Sequence, residues 1–170
     1  ILCAEEFVSD HPFAVLLGDT ICTGDPNCTK GLVDIFEERQ NSVFAVQKIK
    51  PEETRRYGIV SGKEIEDGLM IVDKLVEKPE PENAPSLFGI QGRYVFTPDL
   101  FKYQRKTEAG AGGEIQLTDA MQVLAQNSEM FSWTFNGKRY DIGTMEDWFR
   151  SHIEMSLDSQ FRPFLENYLK

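Results

Sequence analysis

Five consecutive apolar residues, Phe13 to Leu17, end at Gly18-Asp19. A short uninterrupted run of this kind suits a strand buried on both faces of a sheet. Before it, Ile1 to Val8 reads as the end of a helix broken by His11-Pro12. After it, Thr29 is placed to cap a helix with Leu32, Ile35 and Phe36 on one side, and Ser42 to Lys48 reads as the next strand. Strand, helix and strand in that order predict a right-handed crossover and a parallel sheet.

The texture changes after Pro51. Tyr57 to Ser61 and Leu69 to Val76 read as strands around a polar turn, Gly62 to Gly68, and Leu87 to Phe96 as a further strand. Pro98 suits the first turn of a helix through Leu100, Phe101 and Tyr103. A helix from about Thr118 to Gln126, with Thr118 or Asp119 as its cap, is followed by short strands at Phe131 to Phe135 and Arg139 to Ile142. Thr144 and Asp147 have the spacing of a capping box before a helix that places Met145, Phe149, Ile153 and Leu157 on one face. A last amphipathic helix gathers Phe161, Phe164, Leu165, Tyr168 and Leu169 for packing or subunit contact. The pattern is α/β, a mixed sheet flanked by helices.

Composition narrows the classes. With 170 residues, 41% of them hydrophobic, the chain can bury a core of one ordinary domain. Eighteen basic against 28 acidic residues leave a net charge of −10, which argues against a general nucleic-acid binder. No apolar run approaches the ~20 residues of a membrane span, and the start lacks the basic region of a signal peptide. Cys3, Cys22 and Cys28 lack zinc-knuckle spacing, and His11 and His152 add no ligand cluster. Reduced thiols in a cytoplasmic protein are the expectation. The chain opens without a Met, in what reads as mid-helix, as a fragment would.

Three stretches carry chemistry. Asp19 follows the end of an apolar strand, the edge where open α/β sheets bind ligands, and its carboxylate is a hard oxygen donor suited to Mg2+. From position alone it is equally a turn residue after Gly18. Asp141, in Arg139-Tyr140-Asp141-Ile142-Gly143, could complete a two-carboxylate metal site with Asp19, or merely offset a helix dipole. In Val76-Glu77-Lys78-Pro79, Pro79 favours an extended Lys78. Glu77 can accept from sugar hydroxyls and Lys78 can place a point charge on a phosphate, or the two form a solvated pair. Neighbouring strand residues point to opposite faces, so both serve one ligand only over a strand end or an irregular backbone. Gly110 to Glu114 lacks the Lys-Ser/Thr of a phosphate loop and reads as a flexible entry to the next helix.

These pieces, in this order, resemble the bacterial and archaeal UTP–glucose-1-phosphate uridylyltransferases, also called UDP-glucose pyrophosphorylases. The matching stretches are PFAVLLGD at 12–19, YGIV at 57–60, VEKP at 76–79, APS…GRY at 84–94, GAGGEIQLTDA at 110–120 and YDIG at 140–143. The resemblance implies a Rossmann-like nucleotidyltransferase fold of the glycosyltransferase-A type, incomplete at its N-terminus. Residues 1–170 would be the C-terminal part of one catalytic domain, with a helical segment at about 144–170. It implies Mg2+-dependent attack of glucose 1-phosphate on UTP, giving UDP-glucose and pyrophosphate. By motif, Asp19 and Asp141 would hold the metal and Glu77 the glucose hydroxyls. Lys78 would hold the sugar phosphate, Tyr57 and Gly58 the sugar, and Gly92 and Tyr94 would line its pocket. The catalytic set is then Asp19, Lys78 and Asp141. No protein nucleophile is required, because phosphoryl transfer needs positioning and charge neutralisation.

Leu87 stands where the family often has Asn, and Thr20 where it often has a second acid; either could alter sugar preference. The family also opens with a strand and a Gly-rich loop of G-x-G-T-R type that cradles the nucleotide, and no such loop occurs in this chain. The expectation is therefore a segment that keeps the sugar and metal side and does not turn over UTP alone. A cytoplasmic homo-oligomer acting on UTP, glucose 1-phosphate and UDP-glucose, without nucleic acid or membrane, completes the reading. The competing readings are a glucose-1-phosphate thymidylyltransferase and a non-catalytic sugar-phosphate binding module.

Overall fold

The protein is described from a computed structural model, which covers residues 1–108, 113 and 115–170. Most of the Gly110 to Glu114 stretch lies outside the described residues. A 3-10 turn and the short α1 (Glu5–Val8) precede β1 (Phe13–Leu16), β2 (Thr20–Thr23), α2 (Cys28–Arg39) and β3 (Val43–Lys48). Then come β4 (Gly58–Glu66), β5 (Leu69–Glu77), β6 (Phe88–Phe96), α3 (Asp99–Gln104) and α4 (Leu117–Asn127). The chain continues through β7 (Phe131–Thr134), β8 (Lys138–Asp141), α5 (Met145–Leu157) and α6 (Arg162–Tyr168).

Six strands form one mixed sheet in the order β1-β6-β3-β7-β5-β4, in which only β3 and β7 run parallel. The start of β6 also pairs with β4, through Ile59 with Gly89 and Val60 with Phe88, so the ladder β6-β3-β7-β5-β4 closes on itself. On one face α3 and α4 bury Leu100, Met121 and Leu124 against Phe44, Val46, Val60 and Ile90. On the other, α2 packs Leu32 and Phe36 against Val43, Ala45, Val95 and Phe131. A separate two-stranded ribbon pairs β2 with β8 antiparallel. Among the described residues no helix is long and apolar enough to cross a membrane.

Several expectations are corrected. The apolar run at Phe13 is not a strand buried on both faces: Phe13 and Val15 pack inward while Ala14 and Leu16 are exposed. It does not pair with β3, because β6 lies between them, antiparallel to both. The helix after it is capped not by Thr29 but, two residues earlier, by Asn27, whose side chain accepts from the Thr29 and Lys30 amides. The polar stretch Gly62 to Gly68 is not one long turn. The β4–β5 hairpin runs through it to Asp67-Gly68, with every residue from Gly62 to Asp67 exposed, so backbone pairing rather than burial orders it. β2 was not foreseen. Thr144 does cap α5, accepting from the Asp147 amide at 3.1 Å. Met145 and Phe149, however, are 79% and 61% exposed instead of packed.

Candidate sugar-phosphate and metal site

A cavity of about 520 Å³ opens where β1, β5 and β8 end, between the sheet, the start of α4 and the β2–β8 ribbon. That is the usual size of a small-molecule site. Every candidate named from the sequence lies on its wall: Asp19, Tyr57, Gly58, Glu77, Lys78, Gly92, Tyr94 and Asp141.

The ribbon brings the two acids together. Thr20 pairs with Asp141, and the Ile142 amide donates to the Asp19 carbonyl at 2.8 Å. A Cβ placed on Gly143 would stand 3.2 Å from Asp141 Oδ1 and 3.9 Å from Asp19 Oδ2, so both carboxylates border one point. Arg93 braces the loop that carries Asp19. Its guanidinium, on a residue only 8% exposed, donates to the carbonyls of Leu17 at 3.1 Å, Gly92 at 2.9 Å and Thr20.

Glu77 and Lys78 turn to the same side by a break in the backbone. β5 ends at Glu77, and Lys78 sits at φ +45°, in the left-handed region, rather than extended as Pro79 suggested. Its amide donates to the Tyr57 carbonyl at 3.1 Å, which holds the unusual conformation, and its ammonium comes 3.7 Å from Glu77 Oε1. The other Glu77 oxygen accepts from the Thr118 hydroxyl at 2.5 Å. This is why Thr118 does not cap α4. The neighbouring Gln122 reaches the β5 backbone instead, accepting from the Leu75 amide at 2.5 Å. Gly58 lies beneath the Glu77–Thr118 pair: a Cβ there would be 2.9 Å from Thr118 Oγ1 and 3.1 Å from Glu77 Oε2.

Gly92 makes the bend in β6 that exposes the floor. Between the pairs Phe44–Tyr94 and Val46–Ile90, one β3 residue faces three of β6, and Gly92 takes up the excess at φ +65°. Tyr94, beyond the bulge, stacks on Phe96 at 5.2 Å. Burial, followed by the charges of Glu77 and Asp19, raises its phenol above the ordinary range, so it stays neutral.

Two arginines were not singled out from the sequence. Arg139 stacks its guanidinium over the Tyr57 ring at 4.2 Å and donates to the Tyr57 hydroxyl at 2.6 Å. That hydroxyl in turn donates to Asp141 Oδ2 at 2.8 Å, and burial raises its pKa. Arg56 donates to Asp141 Oδ2 at 3.2 Å and to Asp147 Oδ2 at 2.8 Å. The Thr144 hydroxyl, then Arg56, hold the Asp147 carboxyl below its usual range. Asp141 is thus oriented from three sides. Period-two spacing on β8 was a usable signal for Arg139, since residues 139 and 141 share a face. For Arg56, the last residue of a 3-10 turn, there was none.

Asp19, Glu77 and Asp141 therefore face Arg56, Lys78 and Arg139 across one cavity. Such a wall can bind a polyhydroxylated phosphate ester: carboxylates for hydroxyls or a hard cation, cations for phosphate. A UTP–glucose-1-phosphate uridylyltransferase of Bacillus subtilis is 42% identical over a 174-residue alignment, covering 99% of this chain and 60% of that protein. One from Pseudomonas aeruginosa is 43% identical over 149 residues, covering 86% and 53%. The chain thus spans little more than half the length of these relatives. The crystal structure of a UDP-glucose pyrophosphorylase complexed with UDP-glucose superposes with a TM-score of 0.90 at 34% identity, over 93% of this chain and 61% of that one. The nucleotidyl transferase profile matches residues 1–156, and the chain belongs to that family.

Proposed function

We propose that this chain provides the sugar-phosphate and metal side of a UTP–glucose-1-phosphate uridylyltransferase. The observation that carries the reading is the left-handed turn at Lys78, which brings a hydroxyl-accepting carboxylate and a phosphate-binding ammonium to one side, beside the paired acids. In the reaction a phosphate oxygen of glucose 1-phosphate attacks the α-phosphorus of UTP in line, and pyrophosphate leaves. Glu77, fixed by Thr118, accepts from glucose hydroxyls. Lys78 pairs with the sugar phosphate and holds it for attack. Tyr57 and Gly58 form the wall beside the ring, and Gly92 and Tyr94 line its floor.

The residues present fit Mg2+. Among the described residues there is no cluster of three or more metal-binding side chains, but Mg2+ is commonly held by one or two carboxylates, with phosphate oxygens and water completing its shell. Asp19 and Asp141, both bordering the point beside Gly143, would hold it. When bound, such an ion neutralises phosphate charge. Arg56 and the Tyr57 hydroxyl donate to Asp141 Oδ2, and Arg139 stands 4.0 Å from the same oxygen, which keeps the carboxylate oriented.

Calorimetric titration of this chain with UDP-glucose tests the proposal. Saturable, Mg2+-dependent binding that disappears in Glu77→Ala is expected. Absence of binding at millimolar nucleotide sugar, or binding untouched by Glu77→Ala, would refute it. Lys78→Gly separates ligand chemistry from fold. Relief of the left-handed backbone should stabilise the protein by about 1 kcal/mol in thermal unfolding. Loss of the ammonium should weaken UDP-glucose binding by about tenfold or more. Parallel losses of stability and binding would mean that Lys78 is only structural.

A further inference from the structure

The guanidinium of Arg56 is bound through a single nitrogen. Its Nη2 donates both to Asp141 Oδ2 at 3.2 Å and to Asp147 Oδ2 at 2.8 Å. Among the described residues, its Nε and Nη1 donate to no protein acceptor. The side chain is 43% exposed, on the last residue of the 3-10 turn Pro51–Arg56, and it lines the cavity with Lys78 and Arg139. Arg139 differs, being 13% exposed and committed to the ring and hydroxyl of Tyr57. Resting on the reading of the cavity as a nucleotide-sugar and Mg2+ site, we infer that Arg56 is an exchanging residue. Without ligand it occupies Asp141. When it gives Asp141 up to a divalent cation, Asp147 keeps hold of it and its unused donors bind a phosphate of the incoming ester.

Both Asp141 oxygens are engaged in the ligand-free protein. Oδ1 accepts from the Gly143 amide at 3.1 Å, and Oδ2 from the Tyr57 hydroxyl at 2.8 Å as well as from Arg56. Of these three donors Arg56 makes the longest contact and alone carries a charge. A cation at the same carboxylate meets like charge there, so Arg56 is the donor that yields. Yielding costs little, because Asp147 already shares the same nitrogen at the shorter distance. Asp147 is itself fixed at the start of α5, where it accepts from the Thr144 hydroxyl at 2.9 Å, so the anchor is independent of Asp141.

The donors that Arg56 leaves unused suit a phosphate. A guanidinium offers its N–H groups in one plane, which matches the oxygens of a phosphate pairwise, whereas Lys78 supplies only a point charge. Exchange and simple support have opposite signatures. An arginine that only holds Asp141 in place helps the metal, and its removal weakens metal binding. An arginine that competes for the same oxygen opposes the metal, so its removal strengthens metal binding while still weakening the phosphate ester.

The test titrates Mn2+ into the parent chain and Arg56→Met, reading free Mn2+ by electron paramagnetic resonance, and measures UDP-glucose binding to each by calorimetry in Mg2+. Mn2+ should bind Arg56→Met at least about threefold more tightly than the parent. UDP-glucose should bind the same variant about tenfold more weakly. Arg56→Lys keeps the charge and loses the planar donors, so it should bind Mn2+ like the parent but UDP-glucose less well. Thermal melts establish that the variants are folded; should Arg56→Met fail to fold, Arg56→Gln is read in the same way. Mn2+ binding unchanged or weakened by loss of the guanidinium, or UDP-glucose held as tightly as by the parent, overturns the inference and leaves the reading of the cavity standing. Failure of the parent itself to bind UDP-glucose refutes that reading and the inference with it.

Discussion

Asp141→Asn is expected to weaken Mg2+-dependent binding of UDP-glucose by ~100-fold, the scale on which loss of a metal site's supporting interactions is felt. The change keeps the size and planarity of the side chain, so the Gly143 amide, which donates to Oδ1 at 3.1 Å, can still bond. What disappears is the charge. An amide is a far poorer partner than a carboxylate for a hard divalent cation. Arg56 and Arg139 would then stand beside the site without the acid that balances them, repelling the cation further. Arg56 retains Asp147 at 2.8 Å, so the ribbon and α5 should stay in place. Calorimetry with and without Mg2+, beside a thermal melt, reads the result. If binding falls equally in both conditions, Asp141 supports the fold and the metal assignment to Asp19 and Asp141 is wrong.

The elements were legible where burial and periodicity coincide, and obscure where neither applies. The β3 strand, the α4 helix and the Thr144 cap each stand where they were placed. The β4–β5 hairpin was shortened because Lys63, Glu64 and Glu66 have no core to alternate against; ladder hydrogen bonds alone make that part a strand. The five-residue apolar run suggested a central strand, yet Leu16 and Leu17 are 54% and 41% exposed at the sheet margin. Apolarity is a one-way indicator of burial. Within the site, each candidate could be named by its chemistry, but their meeting depends on non-local pairing. No local signal foretold β2, and β2 is what carries Asp19 to Asp141. Thr118 was misread for a related reason. A hydroxyl beside a helix start looks like a cap until a carboxylate from another strand claims it.

The largest effect on stability is expected from Arg93→Met, a loss of about 3 kcal/mol, which lowers the melting temperature by roughly 6–12 °C for a chain of this size. The guanidinium is almost fully enclosed and its donors end on carbonyls of Leu17, Gly92 and Thr20. Methionine fills a similar volume but donates nothing. Two of the carbonyls keep a second partner, since Leu17 O accepts from the Thr20 amide at 3.4 Å and Gly92 O from the Leu17 amide at 3.0 Å. The cost therefore stays below three full charge-assisted bonds. Function should suffer separately, because the loosened segment is the one that presents Asp19. Arg93→Lys makes the distinction. One ammonium restores the charge but cannot span three acceptors as a planar fork does, so it should recover less than half of the lost stability. It should also leave UDP-glucose binding Mg2+-dependent but weaker. A melt of Arg93→Met within 0.5 kcal/mol of the parent would show that the carbonyl clamp contributes little. The geometry of Asp19 would then have to come from the ribbon pairing alone.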